Sequence, residues 1–249
     1  MTKNNLSTYY LLQRLLTPKE ILDVRLFNYD QQLKPEIRDF LIQEVKLRLG
    51  LLLEEIEGLE LCDIYLTGSS ASYFYYEKSD INIRADIRNV SCKYLSKENE
   101  YLSRFMTSYY SGVYDKHGVM LGKQNVEIMI SSGIDEQLPL GLYSVLNNKW
   151  IIEPQKDITQ GADAVDIYAE YERRYYKLQN YLKNMEENSG LNTLVGINTL
   201  KKIVKEIKDG SNYSIKNYII YKMLKYVGIL DSVEKAYNQS LKKFLSLSE

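Results

Sequence analysis

The sequence predicts an α+β protein: a β-sheet packed with helices over residues 1–157, followed by an α-helical region over residues 158–249. Three observations carry this. Short segments between residues 61 and 130 alternate apolar and polar side chains, as half-buried strands do. A long apolar stripe at steps of three and four precedes them. Beyond Pro154 proline disappears and apolar residues recur at helical spacing. A length of 249 residues suits one large domain or two small ones.

The elements follow in order. The domain over residues 1–157 is read with N-terminal helices. Leu33-Lys34-Pro35-Glu36 then starts a helix, with proline in the first turn, where its missing N–H costs nothing. Ile37, Leu41, Val45, Leu49, Leu52 and Ile56 form its stripe, and Gly58 ends it; Gly50 interrupts the pattern. Leu61 to Leu66 reads as a strand stopped by Thr67-Gly68-Ser69-Ser70, with a helix-compatible stretch from Ala71 to Tyr76. Ile81 to Ile87 alternates as a second strand, and Tyr94 to Met106 reads as a helix. Gly118 to Leu121 and Val126 to Ile130 flank a turn at Gly122-Lys123-Gln124-Asn125, and Tyr143 to Ile152 forms a hairpin around Asn147-Asn148. A domain boundary falls near 155–160, before helices broken at Asn188-Ser189-Gly190 and Asp209-Gly210-Ser211.

Composition excludes several classes. Hydrophobic residues at 45% and charged residues at 26% exclude disorder throughout. No apolar run approaches the ~18 residues of a membrane span, and the first ten residues lack a signal-like apolar core. Thirty-two basic against 33 acidic residues leave a net charge of -1, so any nucleic-acid surface must be local. Cys62 and Cys92 form no CxxC pair and read as small buried hydrophobes. With His117 the single histidine, neither a Cys/His zinc site nor a histidine-based triad is expected, and His117 reads as a turn residue beside Gly118. The expected setting is reducing and cytoplasmic. Twenty-three tyrosines against five phenylalanines suit interfaces or base stacking, and equally an AT-biased genome.

The segment from Gly68 to Ile83 carries the chemistry. A strand enters a Gly-Ser turn, a short element intervenes, and a second strand opens with Ser79-Asp80. Glycine lets backbone approach a ligand, while serine hydroxyls and N–H groups at a helix start suit phosphate oxygens. An acid on the adjacent strand would sit where a divalent cation is needed. Glu127, in Val126-Glu127-Ile128-Met129-Ile130, converges on the same point if those strands are neighbours.

These residues resemble the DNA polymerase beta superfamily of nucleotidyltransferases, most closely a set of phage-encoded predicted nucleotidyltransferases. Five blocks carry the resemblance over about residues 25–155: Leu33-Lys34-Pro35-Glu36, Leu66-Thr67-Gly68-Ser69, Ser79-Asp80-Ile81-Asn82, Val126-Glu127, and Tyr143-Ser144-Val145 with Lys149-Trp150-Ile151. The resemblance implies a nucleotidyltransferase-type mixed β-sheet. It also implies Mg2+ or Mn2+ held by Asp80, Asn82 and Glu127, a triphosphate held by Gly68, Ser69 and Ser70, and transfer of a nucleotide to a hydroxyl acceptor. The implied partners are a nucleoside triphosphate and an acceptor that is RNA, protein or a small molecule such as an aminoglycoside.

One position departs from the family pattern. Asn82 stands where the family carries its second aspartate. Two divalent ions about 4 Å apart repel by roughly 15–20 kcal/mol at an effective dielectric near 20, and carboxylates and phosphates must offset that. An amide offsets less and bridges two cations poorly. Asp86 shares the strand face but lies about 13 Å along it. Three readings stand: a working transferase in the host cytoplasm; a fold that has lost catalysis and serves as a binding or structural component of a phage virion, among other phage proteins; and an unrelated α/β protein in which Gly-Ser is a plain turn. Arg173, Arg174 and Lys177, and the stripe of Lys201, Lys202, Lys205 and Lys208, read as solvated helix faces with phosphate contact the alternative. Trp150 reads as a packing residue.

Overall fold

The computed structural model describes residues 3–55, 57–77, 79–89, 119–131, 140–187, 199–200, 202–207, 210 and 214–246. The chain divides into two compact units, Pro18–Asp157, and Met1–Thr17 with Ile158–Glu249. The architecture is α+β with a mixed six-stranded sheet.

In the unit Pro18–Asp157, helix α2 spans Pro35–Glu55 and the sheet comprises β1 (Leu59–Thr67), β2 (Ile81–Asn89), β3 (Val119–Leu121), β4 (Gln124–Ser131), β5 (Leu142–Ser144) and β6 (Lys149–Ile152). The strand order is β3-β4-β2-β1-β5-β6. β2 and β4 run parallel, and the other pairs are antiparallel. One face of the sheet is apolar: Ile64, Leu66, Ile81, Ile83, Ala85, Ile87, Val126 and Ile130 are buried. Leu41, Val45 and Leu49 of the α2 stripe are buried too, and α2 packs on β1. Each such aliphatic side chain contributes about 1.5–3 kcal/mol by leaving water. Gly58, at φ +77°, turns the chain from α2 into β1.

The far edge of the sheet is held by aromatic rings. Tyr143 is fully buried, edge-on to Phe27 at 5.6 Å and to Trp150 at 4.9 Å, while Phe27 and Trp150 stack at 5.4 Å. The Leu33 N–H donates to the Tyr143 phenol, which donates to Asn148 Oδ1, and the Trp150 indole donates to the Gln31 carbonyl. Trp150 is thus a packing residue. The Arg38 guanidinium reaches from α2 to the Val145 and Leu146 carbonyls, closing the turn of the β5–β6 hairpin.

In the other unit, α1 (Lys3–Leu16) lies with α3 (Ala164–Glu187), α4 (Ile215–Tyr226) and α5 (Ile229–Ser246). The sheet domain expected over residues 1–157 starts at Pro18, and Met1–Thr17 group with these helices. The reason is the buried side of α1, Thr8, Leu11, Leu12 and Leu15, which meets α3 and α4. Tyr9 is edge-on to Tyr168 at 6.2 Å.

Other expectations also need correction. The stretch Ala71 to Tyr76 is not a continuous helix: a 3₁₀ turn covers Gly68–Ala71 and Ser72 is already extended. Hydroxyls take its backbone groups, with the Ser72 hydroxyl donating to the Ser69 carbonyl and accepting from the Phe74 N–H. Gln124 and Asn125 belong to β4, leaving Gly122-Lys123 as the turn, with Gly122 at φ +61°. Cys62 is exposed, because the β1–β2 register shifts between Leu61 and Asp63. The expected helix from Tyr94 to Met106, Cys92, His117, Lys201, Lys208 and the breaks at Asn188-Ser189-Gly190 and Asp209 lie outside the described residues.

On α3, Glu170 accepts from both Arg173 and Arg174 at 2.6–2.7 Å. These guanidiniums hold its carboxyl down at about 2, against an ordinary value of 4.5. A depressed carboxylate stabilises the fold above its ordinary pKa and loses that contribution as pH falls through the folded one. Acid titration followed by tyrosine near-ultraviolet dichroism should therefore show stability falling between pH 4.5 and 2. Glu170→Gln should lack this component; an unchanged acid profile in the variant would refute the assignment.

Candidate functional site

The candidate site forms where β1 hands over to β2. Thr67 ends β1 in extended conformation, and Gly68 turns the chain with φ +73°, a left-handed geometry that disfavours other residues by about 1–2 kcal/mol. A Cβ on Gly68 would lie 2.8 Å from Asn82 Nδ2, so the Asn82 amide is packed directly against the turn.

β2 begins from a buried serine. The Ser79 Oγ accepts from the Ser69 hydroxyl at 3.1 Å and from the Tyr76 N–H at 3.0 Å. Its own N–H donates to the Tyr76 carbonyl, and its carbonyl accepts from the Gln124 side chain at 3.1 Å. The Ser70 hydroxyl donates to the Asp80 carbonyl at 2.6 Å. Arg25, paired with buried Asp23, holds the preceding loop through the carbonyls of Tyr76 and Glu77. β1, the Gly-Ser turn, β2 and β4 therefore meet at one point.

Strand register does the rest. Asn82 pairs with Thr67 on one side and with Glu127 on the other. Because Ile81 and Ile83 face the core, Asn82 projects to the opposite face, and parallel pairing puts Glu127 beside it at the usual strand spacing of about 4.8 Å. Asp80 stands two residues before Asn82, about 6.6 Å along a strand. Asp80 and Asn82 are half-buried and Glu127 is exposed. Two carboxylates and an amide, far apart in sequence, thus gather on one side of two neighbouring strands.

Ser69 and Ser70 are, with Gly68, the residues that the resemblance implies for holding a triphosphate. Both residues are fully buried, and both hydroxyls brace the start of β2. Backbone N–H groups of the Gly68 turn are the chemistry it can offer an anion. Ser79 and Gln124, which position Asp80 and β4, carry no sequence motif beyond the Ser-Asp pairing that opens the strand.

Further along the same sheet face the buried carboxylates are satisfied internally. Asp86 is fully buried and bound by Arg88 at 2.7 Å, whose guanidinium pKa this bond raises. Asp63, also buried, accepts from the Ser144 hydroxyl at 2.6 Å and from the Asn147 amide at 2.9 Å. Burial, aided by Asp63 and Asp86, pushes the Tyr65 phenol up to about 12, and burial likewise raises the Cys62 thiol. Asp86 is thus committed to Arg88 and gives no substitute for the acid that Asn82 replaces.

Among the described residues no group of three His, Cys, Asp or Glu side chains is arranged to hold a metal ion. Asp80 and Glu127 supply two carboxylates, with the Asn82 oxygen as a neutral third donor, a set that suits one hard divalent cation completed by phosphate and water. In the helical unit Arg173 and Arg174 are paired with Glu170, and Lys177, Lys202 and Lys205 are exposed. No helix among the described residues is long and apolar enough to cross a membrane. No family model, no curated protein and no solved structure matches the chain.

Two outcomes are expected at the turn. Gly68→Ala should destabilise by about 1–3 kcal/mol, through backbone strain and its collision with Asn82. Part of that should vanish in an Asn82→Ala background, a coupling of at least about 0.5 kcal/mol by urea denaturation; strict additivity would show that the contact is absent. Ser79→Ala should cost about 1–3 kcal/mol, since the buried Ser69 hydroxyl and the half-buried Tyr76 N–H both lose their acceptor. An unchanged unfolding midpoint would contradict that role.

Proposed function

We propose that the sheet unit is a nucleotidyltransferase-type domain. Asp80 and Glu127 hold a divalent cation, Mg2+ or Mn2+, and the N–H groups of the Gly68 turn receive the phosphates of a nucleoside triphosphate. The observation that carries this is the parallel register of Asn82 with Glu127 beside the Gly68 turn. It brings together residues from the Gly68, Asp80 and Glu127 blocks of the resemblance on a half-buried to exposed part of the sheet face.

The chemistry is in-line displacement. An acceptor hydroxyl gives its proton to solvent as its oxygen bonds to the α-phosphorus, the bond from that phosphorus to the bridging oxygen of the β-phosphate breaks, and pyrophosphate leaves; a cation held by Asp80 and Glu127 would offset the charge of the leaving group. The chain's own part is positioning. Ser79 and Gln124 set the start of β2, β4 sets Glu127, and Gly68 lets backbone come close. The acceptor belongs to the class of RNA, protein or small hydroxyl compounds.

Asn82 favours a second reading, in which the fold has lost catalysis and serves as a binding or structural component of a phage particle. With two carboxylates the protein balances one divalent charge, not two. Calorimetry with Mg2+ or Mn2+ and each nucleoside triphosphate distinguishes the readings. The transferase reading expects metal-dependent binding in the natural chain, weakened at least about tenfold by Asp80→Ala. Silence in the natural chain with binding gained in Asn82→Asp would favour the second reading, and silence in every variant would defeat the transferase reading.

A further inference from the structure

The helical unit contains a cavity of about 260 Å³ between α1, α3 and the end of α4. Its walls include five tyrosines, Tyr168, Tyr171, Tyr175, Tyr176 and Tyr226, together with Glu172. Spacing on α3 explains the array, since residues three, four, seven and eight apart lie on one side of a helix. The rings form a continuous chain: Tyr168 and Tyr171 are 5.8 Å apart, Tyr171 and Tyr175 stack at 5.9 Å, and Tyr176 meets Tyr175 edge-on at 5.6 Å. Tyr171 is 5% exposed, whereas Tyr176 and Tyr226 are each 53% exposed, so the cavity has a buried floor and an open rim.

Its electrostatics have one sign. Aromatic faces carry negative quadrupole density, and Glu172 is the one charged residue among the described residues lining the cavity. Burial first, and the neighbouring Glu172 with it, raises the Tyr168 phenol; burial pushes Tyr171 to about 12, against a hydrogen bond with Thr8. The Tyr168 and Tyr171 phenols are thus held neutral. Arg173, Arg174 and Lys177 line a different cavity with Ile203, Ile207 and Asn217, and Glu170 holds both arginines. Such a tyrosine-lined space repels phosphate and attracts cations. Its size lies just under the roughly 300–1,000 Å³ of sites for drug-sized ligands, which suits a compact head group.

We propose that these five tyrosines and Glu172 form a binding site for a small organic cation of the quaternary or alkylated ammonium class. The positive group sits against the ring faces, with Glu172 as its counter-charge. The proposal makes no use of the sheet site, so the two readings stand or fall separately.

Calorimetry on the full chain tests it with choline and its neutral carbon isostere, 3,3-dimethyl-1-butanol. Choline should bind, and the isostere should bind at least about threefold to thirtyfold more weakly, the range expected of a ring–cation contact. Glu172→Gln and Tyr176→Leu should each weaken choline binding by about threefold or more with the circular dichroism spectrum retained, while Asp80→Ala should leave it unchanged. Equal binding of choline and the isostere would overturn the proposal in favour of a purely apolar cavity. Binding of adenosine in place of choline would overturn it in favour of base stacking, and absence of choline binding at millimolar concentration would overturn it outright.

Discussion

Ser79 is 1% exposed, and the sheet unit's candidate chemistry depends on how it is satisfied. A buried polar group without a partner costs about 1–3 kcal/mol, so a serine that brings a hydroxyl, an N–H and a carbonyl into the interior must find partners for each. It finds them in three places that are otherwise separate: the Gly-Ser turn through Ser69, the preceding loop through Tyr76, and β4 through Gln124. Asp80 follows directly, and Ser70 takes its carbonyl. The half-buried aspartate is therefore held from both flanks of its own backbone.

The same sheet face divides into two zones by the same rule. Around Asp63 and Asp86, carboxylates are buried and each is matched, by Ser144 and Asn147 in one case and Arg88 in the other. Those groups anchor the hairpin turn and the ends of β1 and β2; their hydrogen bonds are taken by the protein itself. At Asp80, Asn82 and Glu127 the face is half-buried to exposed, and the charges meet solvent. A ligand would meet carboxylates only in the second zone. Asn82 sets how much charge that zone offers, since its amide packs against Gly68 where an aspartate would add a negative charge.

The helical unit shows how one helix presents two chemistries. On α3 the tyrosines at 168, 171, 175 and 176 occupy one side, and Glu170 with Arg173 and Arg174 another. Because the arginines are neutralised next to their own helix, the tyrosine side keeps its negative character. The excess of tyrosine over phenylalanine is thus concentrated, in part, where ring faces with polar tips border water.

Much of the local structure was legible from residues alone. Proline at the start of α2, its apolar stripe, the alternation in β2 and the turn at Asn147-Asn148 follow from backbone and burial rules that act over a few residues. The Gly68 turn was legible for the same reason, since a left-handed position selects glycine. Nothing local reported that Ser69 and Ser70 point inward, because their partners lie ten residues away, just before β2. Nor could spacing tell that α1 leaves the sheet unit for the helices, since an amphipathic stripe says that a face is buried but not against what. Residues alone pointed to most of the elements and to the side chains able to do chemistry. Tertiary structure alone decided the pairing of Asn82 with Glu127, the burial of Asp86 with Arg88 and the gathering of tyrosines at one cavity, because each depends on contacts between segments the chain keeps far apart.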